Sequence, residues 1–334
     1  MFKKTFIIAE AGVNHDGSLK KAYKLIDAAK EANADAIKFQ TWKTEKVVIK
    51  KSIKAPYQNK YFKDHTQFEM LKKLELNFES FIKIKKYCDK KNIVFLSTAD
   101  EIESAKFLKP LIKYIKIGSA EINDFPFLKK LAKFKKPIFL SSGMSNINEI
   151  KKAVKIITSN GLNKDKICVL HCNTAYPTPF KDANLNAIKT IKNKLNISVG
   201  YSDHTPSIEA SIAAVTLGAE IIEKHFTINS SDQGPDHSSS LEPDKFYEMV
   251  SSIRNVEKAL GDGVKKLSQS EKKNIKSTRK SIVANKKIKK GSKFNKNNIT
   301  IKRPGTGISP TLYYEILGKI AKRDYSVDDF IKNE

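Results

Sequence analysis

Eight short runs of apolar and β-branched residues recur along the chain, and amphipathic segments with a helical period separate them. This alternation of strand and helix predicts a parallel sheet wrapped by helices. The runs are apolar on both faces, as expected for strands buried on both sides. Eight such units within roughly 260 residues have the size and count of a (β/α)8 TIM barrel, an α/β fold. The predicted strands are 5–11, 36–40, 93–98, 114–118, 137–141, 167–171, 197–201 and 220–226, and the clearest helical segments are 19–32, 78–91, 146–159, 207–217 and 243–260.

A doubly wound open sheet is the main alternative to the barrel. Such a sheet needs a glycine-rich phosphate-binding turn after its first strand. Residues 10–17 read Glu-Ala-Gly-Val-Asn-His-Asp-Gly, which is not G-x-G-x-x-G, so the sequence favours the barrel. The connection 41–77 is long, and we expect it to overhang the mouth, the end of the barrel formed by the carboxyl termini of the strands. This connection contains Pro56, Tyr57, Tyr61 and Phe62.

The barrel pattern stops after residue 260. Residues 263–279 are polar and lysine-rich, whereas 280–334 shows β-like runs at 281–284 and 299–302 and a short helical pattern near 311–317. We therefore predict a barrel catalytic domain over 1–262, a linker over 263–279 and a small domain over 280–334. A domain of about 55 residues is too small to carry much stability alone.

The formal net charge of +26 raises the possibility of nucleic-acid binding. Only four of the 62 basic residues are arginine, the residue whose fork suits bases and phosphates, and the lysines are spread along the whole chain. A lysine-rich solvated surface is therefore the better interpretation, and we expect no nucleic-acid partner. The arginines are Arg254, Arg279, Arg303 and Arg323.

The sequence also excludes a membrane protein and a disulfide-stabilised one. No apolar run approaches the ~18 residues that a spanning helix needs, and the apolar start ends at Glu10, too early for a secretory signal. Cys88, Cys168 and Cys172 form neither a disulfide framework nor a zinc-site spacing. We interpret Cys168 and Cys172 as core packing and expect the protein in a reducing cytoplasm.

Polar side chains follow nearly every predicted strand, which would bring them together at the mouth. His204 and His225 follow neighbouring strands, and two imidazoles there could bind a divalent metal, although each could instead be a structural hydrogen-bonding group. Lys38 and Lys116 lie inside apolar runs, and a buried ammonium requires an anionic partner. That partner is either a substrate phosphate or carboxylate or an internal carboxylate, such as Glu121 for Lys116.

Hydroxyl groups at the same level favour the substrate interpretation. Thr98, Ser119, Ser141 and Ser202 follow the third, fourth, fifth and seventh strands, and with the lysines they suggest a phosphorylated, anionic substrate. Glu121, close to these cations, could act as a general acid or base, or it could simply cap a helix.

Taken together, these motifs resemble the sialic acid (nonulosonate) synthase family, and Arg303-Pro-Gly-Thr-Gly resembles the signature of that family's C-terminal antifreeze-like (SAF) domain. The resemblance covers essentially the whole chain in order. The motifs are Ile-Ala-Glu10-Ala-Gly-Val-Asn-His, Lys38-Phe-Gln40, Lys116-Ile-Gly-Ser119-Ala-Glu121, Leu-Ser141-Ser-Gly-Met, His171-Cys-Asn173-Thr-Ala-Tyr176-Pro, Ser202-Asp-His204-Thr, Glu-Lys-His225-Phe-Thr and Gly-Pro-Asp236-His.

The resemblance implies that phosphoenolpyruvate condenses with an N-acylated mannose-type sugar to give a nine-carbon 2-keto acid and phosphate. It implies that His204 and His225 bind Mn²⁺ or Mg²⁺, which polarises the sugar aldehyde, and that Glu121 is the acid/base. Family members are domain-swapped homodimers, so Arg303 would reach the sugar's acyl group in the partner's mouth. The residues implied to hold phosphoenolpyruvate are Lys38, Thr98, Lys116, Ser119, Ser141 and Ser202, and those implied to position the sugar or metal-bound waters are Glu10, Gln40, Asn173, Tyr176 and Asp236.

The motif at 173–177 reads Asn-Thr-Ala-Tyr-Pro where sialic acid synthases often have Thr-Asn-x-Tyr-Pro. With Gly-Pro-Asp236-His and Ser-Leu-Glu-Pro, it resembles the legionaminic acid branch, which implies 2,4-diacetamido-2,4,6-trideoxymannose as the acceptor. N-Acetylmannosamine is the alternative acceptor. Another metal-dependent barrel lyase or aldolase, and a binding protein with a catalytically inactive barrel, are the more distant alternatives.

Overall fold

The structure is a computed structural model that describes residue 2 and residues 4–55 and 66–332. The chain forms two compact units, Met1–Gly261 and Asp262–Glu334. The predicted loop residues Pro56, Tyr57, Tyr61 and Phe62 lie outside the described residues. The rest of the 41–77 connection contains two helices, α2 (Thr44–Val47) and α3 (Gln67–Leu74).

Eight parallel strands close into a barrel in the order β1 to β8, which confirms the predicted fold. All seven residues of β1 are buried, because helices cover the outside of the barrel and side chains fill its inside. The strands are β1 (Phe6–Gly12), β2 (Ala36–Thr41), β3 (Val94–Ala99), β4 (Ile115–Ile117), β5 (Ile138–Ser141), β6 (Ile167–Cys172), β7 (Ser198–Asp203) and β8 (Ile221–His225).

The helices outside the barrel bury one face each. Helix α10 (Pro243–Leu260) buries Phe246, Met249, Val250 and Ile253, whose spacing follows the helical period. Local capping fixes where several helices begin. Asn146, for example, forms a capping box at the start of α7 (Ile147–Ser159). The remaining helices of this unit are α1 (Leu19–Glu31), α4 (Phe78–Lys90), α5 (Ile102–Leu108), α6 (Phe125–Ala132), α8 (Asn186–Leu195) and α9 (Glu209–Thr216).

A separate apolar cluster fills the barrel interior at its amino-terminal end. Phe6 and Phe2 stack with ring centroids 4.6 Å apart, and Tyr114 and Phe139 stack at 4.9 Å. Ile8, Leu96, Leu170 and Ile221 belong to the same buried cluster. Because these side chains close the amino-terminal end, the space left for chemistry is at the mouth.

The second unit has a small core of its own around an antiparallel pair, β9 (Ser281–Ala284) and β10 (Ile299–Lys302). These two strands match the predicted β-like runs. The core includes Ile282, Phe294 and Tyr325. The described residues of this unit also form three short α-helices. These are α11 (Gln269–Lys272) and α12 (Ile275–Thr278), within the segment predicted as a linker, and α13 (Tyr313–Ile316). Among the described residues of the chain, no helix has the length and apolar composition needed to cross a membrane.

Candidate active site at the mouth of the barrel

The period of two along each strand decides which residues reach the mouth. Side chains of alternate residues point into the barrel, so each apolar interior residue is followed, two positions later, by a residue nearer the mouth. Interior Ile8, Leu96 and Ile221 are buried. The next interior residues in these strands are polar or charged: Glu10, Thr98 and Glu223. In four other strands, too, the residue two positions after an interior residue is polar or charged: Lys38 after Ala36, Lys116 after Tyr114, Ser141 after Phe139 and Ser202 after Gly200.

Four of these residues form a buried cluster of alternating charge, the Lys–Glu cluster: Glu10, Lys38, Glu223 and Lys116. Lys38 Nζ lies 2.7 Å from Glu10 Oε2 and 3.7 Å from Glu223 Oε2, and Lys116 Nζ lies 3.3 Å from Glu223 Oε1. The side chains are at most 5% exposed. Both lysines thus have the anionic partner that burial requires, but the carboxylate paired with Lys116 is Glu223 rather than Glu121.

Hydroxyl groups complete the surroundings of this cluster. Lys38 donates a hydrogen bond to Thr98 Oγ1 at 3.1 Å, and Ser202 donates one to Glu223 Oε1 at 2.9 Å. Ser141 Oγ is buried and has no hydrogen-bond partner among the described residues. A buried hydroxyl of this kind is available to a substrate oxygen.

The charges of the cluster set its protonation. Burial alone would raise the pKa of Glu223, but the charges of Lys116 and Lys38 outweigh it and lower this pKa to about 2. Burial raises the pKa of Glu10 to about 7, although the charge of Lys38 opposes the rise. Burial would lower the pKa of Lys38, but Glu10 and Glu223 raise it instead. Lys38 and Glu223 are therefore charged at neutral pH.

His204 and His225 lie side by side at the mouth, with ring centroids 5.3 Å apart. The ring of Tyr176 packs against both, at 4.2 Å from His204 and 5.5 Å from His225. His204 Nδ1 hydrogen-bonds the Asn173 carbonyl oxygen at 2.5 Å. Since a carbonyl only accepts, Nδ1 carries a proton, which leaves Nε2 as the nitrogen that could bind a metal.

The environment of His225 suits a metal ligand. Its Nδ1 is buried without a hydrogen-bond partner among the described residues, and it lies 3.8 Å from Asp236 Oδ2. Burial, with the nearby charge of His204, lowers the pKa of His225 well below its usual range, so this imidazole is neutral. Burial would lower the pKa of His204, but the neighbouring Cys172 raises it. Two imidazoles with a carboxylate close by are a donor set that fits a divalent cation.

Glu10, Gln40 and Asp236 converge around Gly12, beside the histidines. Gln40 Nε2 donates to Glu10 Oε1 at 3.2 Å. A Cβ atom at Gly12 would lie 3.1 Å from Asp236 Oδ2 and 3.3 Å from Glu10 Oε1, and the backbone there has φ of +50°. A side chain at this position would be strained and would crowd both carboxylates, so glycine is required here.

Glu121 and Ser119 lie on the turn after β4. The Glu121 carboxylate packs against Gly118, and burial raises its pKa despite the charge of Lys116. Ser119 Oγ accepts a hydrogen bond from the Gly143 amide at 3.0 Å and lies 3.5 Å from Cys172 Sγ. Cys172 Sγ also lies 4.0 Å from His204 Nδ1, so this cysteine borders the site rather than only filling core space as the sequence suggested.

The side chains of Asn173 and Arg303 form hydrogen bonds to residues close to them within their own units. The Asn173 side chain accepts a hydrogen bond from the Ala175 amide at 2.8 Å and so shapes its own loop, while its carbonyl orients His204. Arg303 is exposed in the second unit, where its Nε donates to the Thr278 carbonyl oxygen at 3.1 Å. Its predicted place in a partner's mouth stays a prediction.

Sequence reasoning missed two carboxylates of the mouth. Glu223 is two residues before His225 and therefore shares its inward face, a signal that the period of two could have revealed. Asp100 directly follows β3, and burial together with the charge of Glu121 raises its pKa well above the usual range. Nothing in the local sequence distinguishes Asp100 from a helix-capping acid.

A second group of possible metal ligands does not include the histidine pair. Ligand atoms of Asp16, Asp232 and His237 are all within 4.8 Å of one another. Lys21 Nζ lies 2.6 Å from Asp16 and 3.4 Å from Asp232. The three residues are close enough together to hold a cation, but the ammonium group of Lys21 already neutralises the two carboxylates.

Two known families match the chain. Residues 25–265 match the NeuB family, and residues 279–334 match the SAF domain. Both parts of the resemblance expected from the motifs are thereby confirmed.

Individual relatives extend the comparison over the whole length. The chain is 48% identical over 332 residues to an N,N'-diacetyllegionaminic acid synthase of Campylobacter jejuni, covering 99% of each protein. It is 35% identical over 332 residues to the human N-acetylneuraminate-9-phosphate synthase, covering 98% of this chain and 92% of that protein. A crystal structure of an N-acetylneuraminic acid (sialic acid) synthetase from Leptospira borgpetersenii superposes with a TM-score of 0.71 at 34% identity, covering 82% of this chain and 90% of that one.

Proposed function

Because the chain belongs to the NeuB family, we propose that it condenses phosphoenolpyruvate with an N-acylated mannose-type sugar, giving a nine-carbon 2-keto acid and phosphate. The observation that carries the proposal is the buried Lys–Glu cluster beside two adjacent imidazoles at one end of a closed barrel. One part of this arrangement suits a phosphorylated carboxylate, and the other suits a cation that binds a sugar.

The first part of the site binds phosphoenolpyruvate. Lys38 and Lys116 supply positive charge, and Thr98, Ser119, Ser141 and Ser202 supply hydroxyl groups around it. The lysines are held in place by Glu10 and Glu223 before substrate arrives, so little reorganisation is needed on binding. The Ser141 hydroxyl is buried and has no hydrogen-bond partner among the described residues, so it is the group most clearly available to donate to phosphoenolpyruvate.

The second part of the site binds the sugar. His204 and His225 would hold a divalent metal, and a bound metal would act as a Lewis acid towards the open-chain aldehyde. Glu10, Gln40 and Asp236 lie around Gly12 next to the histidines, where they would orient sugar hydroxyls or metal-bound waters. Tyr176 packs across both imidazole rings and covers one side of this space.

The reaction forms one carbon–carbon bond and releases one phosphate. C3 of phosphoenolpyruvate attacks the aldehyde carbon, water adds to the cationic C2, and the tetrahedral product loses phosphate to leave the 2-keto group. Glu121, whose pKa is raised by burial, exchanges the proton between water and the aldehyde oxygen. Ser119 and Lys116 would hold the phosphate as its bond to C2 breaks, and the proton of the C2 hydroxyl leaves with the phosphate.

The favoured acceptor is 2,4-diacetamido-2,4,6-trideoxymannose, which would make the product a legionaminic acid. The identity of 48% to a protein named N,N'-diacetyllegionaminic acid synthase supports this choice over N-acetylmannosamine. Pseudaminic acid synthases, at 39% identity, are more distant.

A phosphate-release assay tests the proposal. Purified chain is incubated with phosphoenolpyruvate and Mn²⁺, and with each sugar separately or with none; the product mass is then measured. We expect release only with a mannose-type sugar, fastest with the diacetamido sugar, and none after chelation of the metal. Release that is independent of any sugar, or no nine-carbon product, would overturn the proposal.

Three variants assign the roles. Glu121→Gln should bind both substrates yet release no phosphate, and near-normal turnover would remove Glu121 from the mechanism. His204→Ala and His225→Ala should lose turnover together with metal dependence. An unchanged metal titration would contradict the ligand assignment.

We further propose that the chain is a domain-swapped homodimer in which Arg303 completes the partner's site. Arg303 is exposed within its own unit and is therefore available to a partner. Mixing Arg303→Ala with Glu121→Gln chains should restore activity, because one mouth in such a heterodimer carries both functional residues. Exchanged heterodimers without activity would contradict shared sites.

A further inference from the structure

A second buried ion pair lies directly behind the two histidines, on the outer side of the barrel wall. Lys224 Nζ is 3.0 Å from Asp203 Oδ2, and the two side chains are 1% and 0% exposed. Asp203 ends β7 and Lys224 is the penultimate residue of β8, and the two are register partners in the sheet. Neither residue faces the mouth, so the proposed reaction gives neither of them a role.

The position of this pair follows from the alternation of side chains. Ser202 points into the barrel, where it bonds Glu223, its register partner. One residue further on, Asp203 and Lys224 therefore point outwards, and one residue further again His204 and His225 point inwards. The ion pair thus joins the two residues that immediately precede the two imidazoles.

Hydrogen bonds extend the pair to the residue after His204. Lys224 Nζ donates to the Thr205 carbonyl oxygen at 2.5 Å, and Asp203 Oδ1 accepts from the Thr205 amide and from its hydroxyl, both at 2.8 Å. Asp203 Oδ2 also accepts from Ser211 Oγ of helix α9 at 2.6 Å. The backbone on both sides of His204 is therefore tied to β8 and to α9.

We propose that Asp203 and Lys224 are positioning residues that fix the separation and direction of the His204 and His225 imidazoles for cation binding. The inference rests on the proposed role of these histidines. Neither positioning residue contacts the cation, and both act through the backbone that carries its ligands. Partners that orient metal ligands in this way typically contribute about 10–100-fold to metal affinity.

Mn²⁺ binding to the metal-free full chain, without substrate, is the test. Isothermal titration calorimetry, or the electron paramagnetic resonance signal of free Mn²⁺, gives the dissociation constant for wild type and for each variant. Lys224→Met should weaken binding about 10–100-fold, and Lys224→Arg should recover part of the loss because it keeps the charge. Ser211→Ala, which removes one hydrogen bond to Asp203 and leaves the ion pair, should weaken binding less and in the same direction.

Two further variants separate positioning from stability. Asp203→Asn with Lys224→Met leaves no uncompensated buried charge, so it is expected to fold even where Lys224→Met alone does not, and it should still bind Mn²⁺ weakly. Asp35→Asn is the matched control, because Asp35 pairs with Arg254 at 2.7 Å in the same unit but away from the mouth. It should lower the thermal midpoint and leave the Mn²⁺ dissociation constant unchanged.

The outcomes distinguish this inference from the proposed function. If folded Lys224→Met and the double variant bind Mn²⁺ as wild type does, while His204→Ala loses it, the positioning role is overturned and the histidine site stands. If His204→Ala binds Mn²⁺ as wild type does, the histidine site itself is wrong, and the positioning role falls with it.

Discussion

Glu223 offers the most direct test of how the mouth is built. Glu223→Gln keeps the shape of the side chain and its hydrogen bond from Ser202 but removes a charge from the Lys–Glu cluster. Lys38 still has an ion pair with Glu10, at 2.7 Å between Nζ and Oε2. Lys116 loses its ion pair with the Glu223 carboxylate, which lies 3.3 Å from Lys116 Nζ. The variant therefore leaves a buried ammonium without its partner, which is the costly way to break a buried pair.

The structure gives the size of the effect. The pKa of Glu223 falls from an ordinary 4.5 to about 2, a difference of about 2.5. Since each pKa unit corresponds to about 1.4 kcal/mol, the charged form of Glu223 contributes roughly 3 kcal/mol to folding stability. Because this pKa is lowered in the folded state, the contribution is complete above pH 4.5 and is lost as the pH falls towards 2. A loss of about 3–5 kcal/mol is typical when one partner of a buried pair is removed.

Thermal unfolding at neutral pH, followed by circular dichroism, measures this loss. The midpoint of the barrel transition should fall by roughly 5–10 °C, and inorganic phosphate should recover more stability in the variant than in wild type, because it supplies the missing negative charge. Glu79→Gln is the control, since it removes an equal charge from an exposed pair on α4. A Glu223→Gln midpoint indistinguishable from that of the control would refute the reasoning.

Three further predictions concern the same barrel. Gly118→Ala would place a methyl group against Glu121 Oε2 and displace that carboxyl. The variant should fold normally and release phosphate about 10²-fold more slowly, because a displaced acid/base is poorly aligned. Normal turnover would contradict the assignment of Glu121. Gly200→Ala would place a Cβ atom 2.7 Å from the Ile221 carbonyl oxygen; unfolding measurements should show a loss of about 1–3 kcal/mol, and wild-type stability would argue against such tight packing. Burial raises the pKa of Asp236 to about 6 from 3.8, so ionising this carboxyl costs stability as the pH rises through this interval. Asp236→Asn should therefore stabilise the metal-free protein at neutral pH by up to ~3 kcal/mol, and by less below pH 6. Equal stabilisation at neutral pH and below pH 6 would contradict this.

The barrel was predictable because its strands carry their own signal. The runs are apolar on both faces, and the observed strands start and end within two residues of the predicted ones; β6 (Ile167–Cys172), predicted as 167–171, is an example. The carboxyl end of each strand could also be identified from polar residues such as His204 and His225. Both signals are local, and a single sequence is enough to read them.

The pairing of charges inside the barrel was not predictable in the same way. The sequence indicated that Lys116 needs an anion, but Glu223 lies 107 positions away and reaches it only because strands β4 and β8 face each other across a closed interior. The neighbours of Cys172, which is buried as expected, were not predictable for a related reason. Its surroundings are set by Ser119 and His204, which come from other strands.

The alternation in β7 and β8 also limits how this protein can change. Inserting or deleting one residue within either strand would exchange inner for outer side chains, bringing Asp203 or Lys224 into the lumen and turning an imidazole towards the surrounding helices. Lengthening the connections that follow the strands has no such effect. Adaptation to a different acceptor sugar, whether natural or engineered, is therefore open to loops of variable length, while the strands themselves tolerate only exchanges of one residue for another.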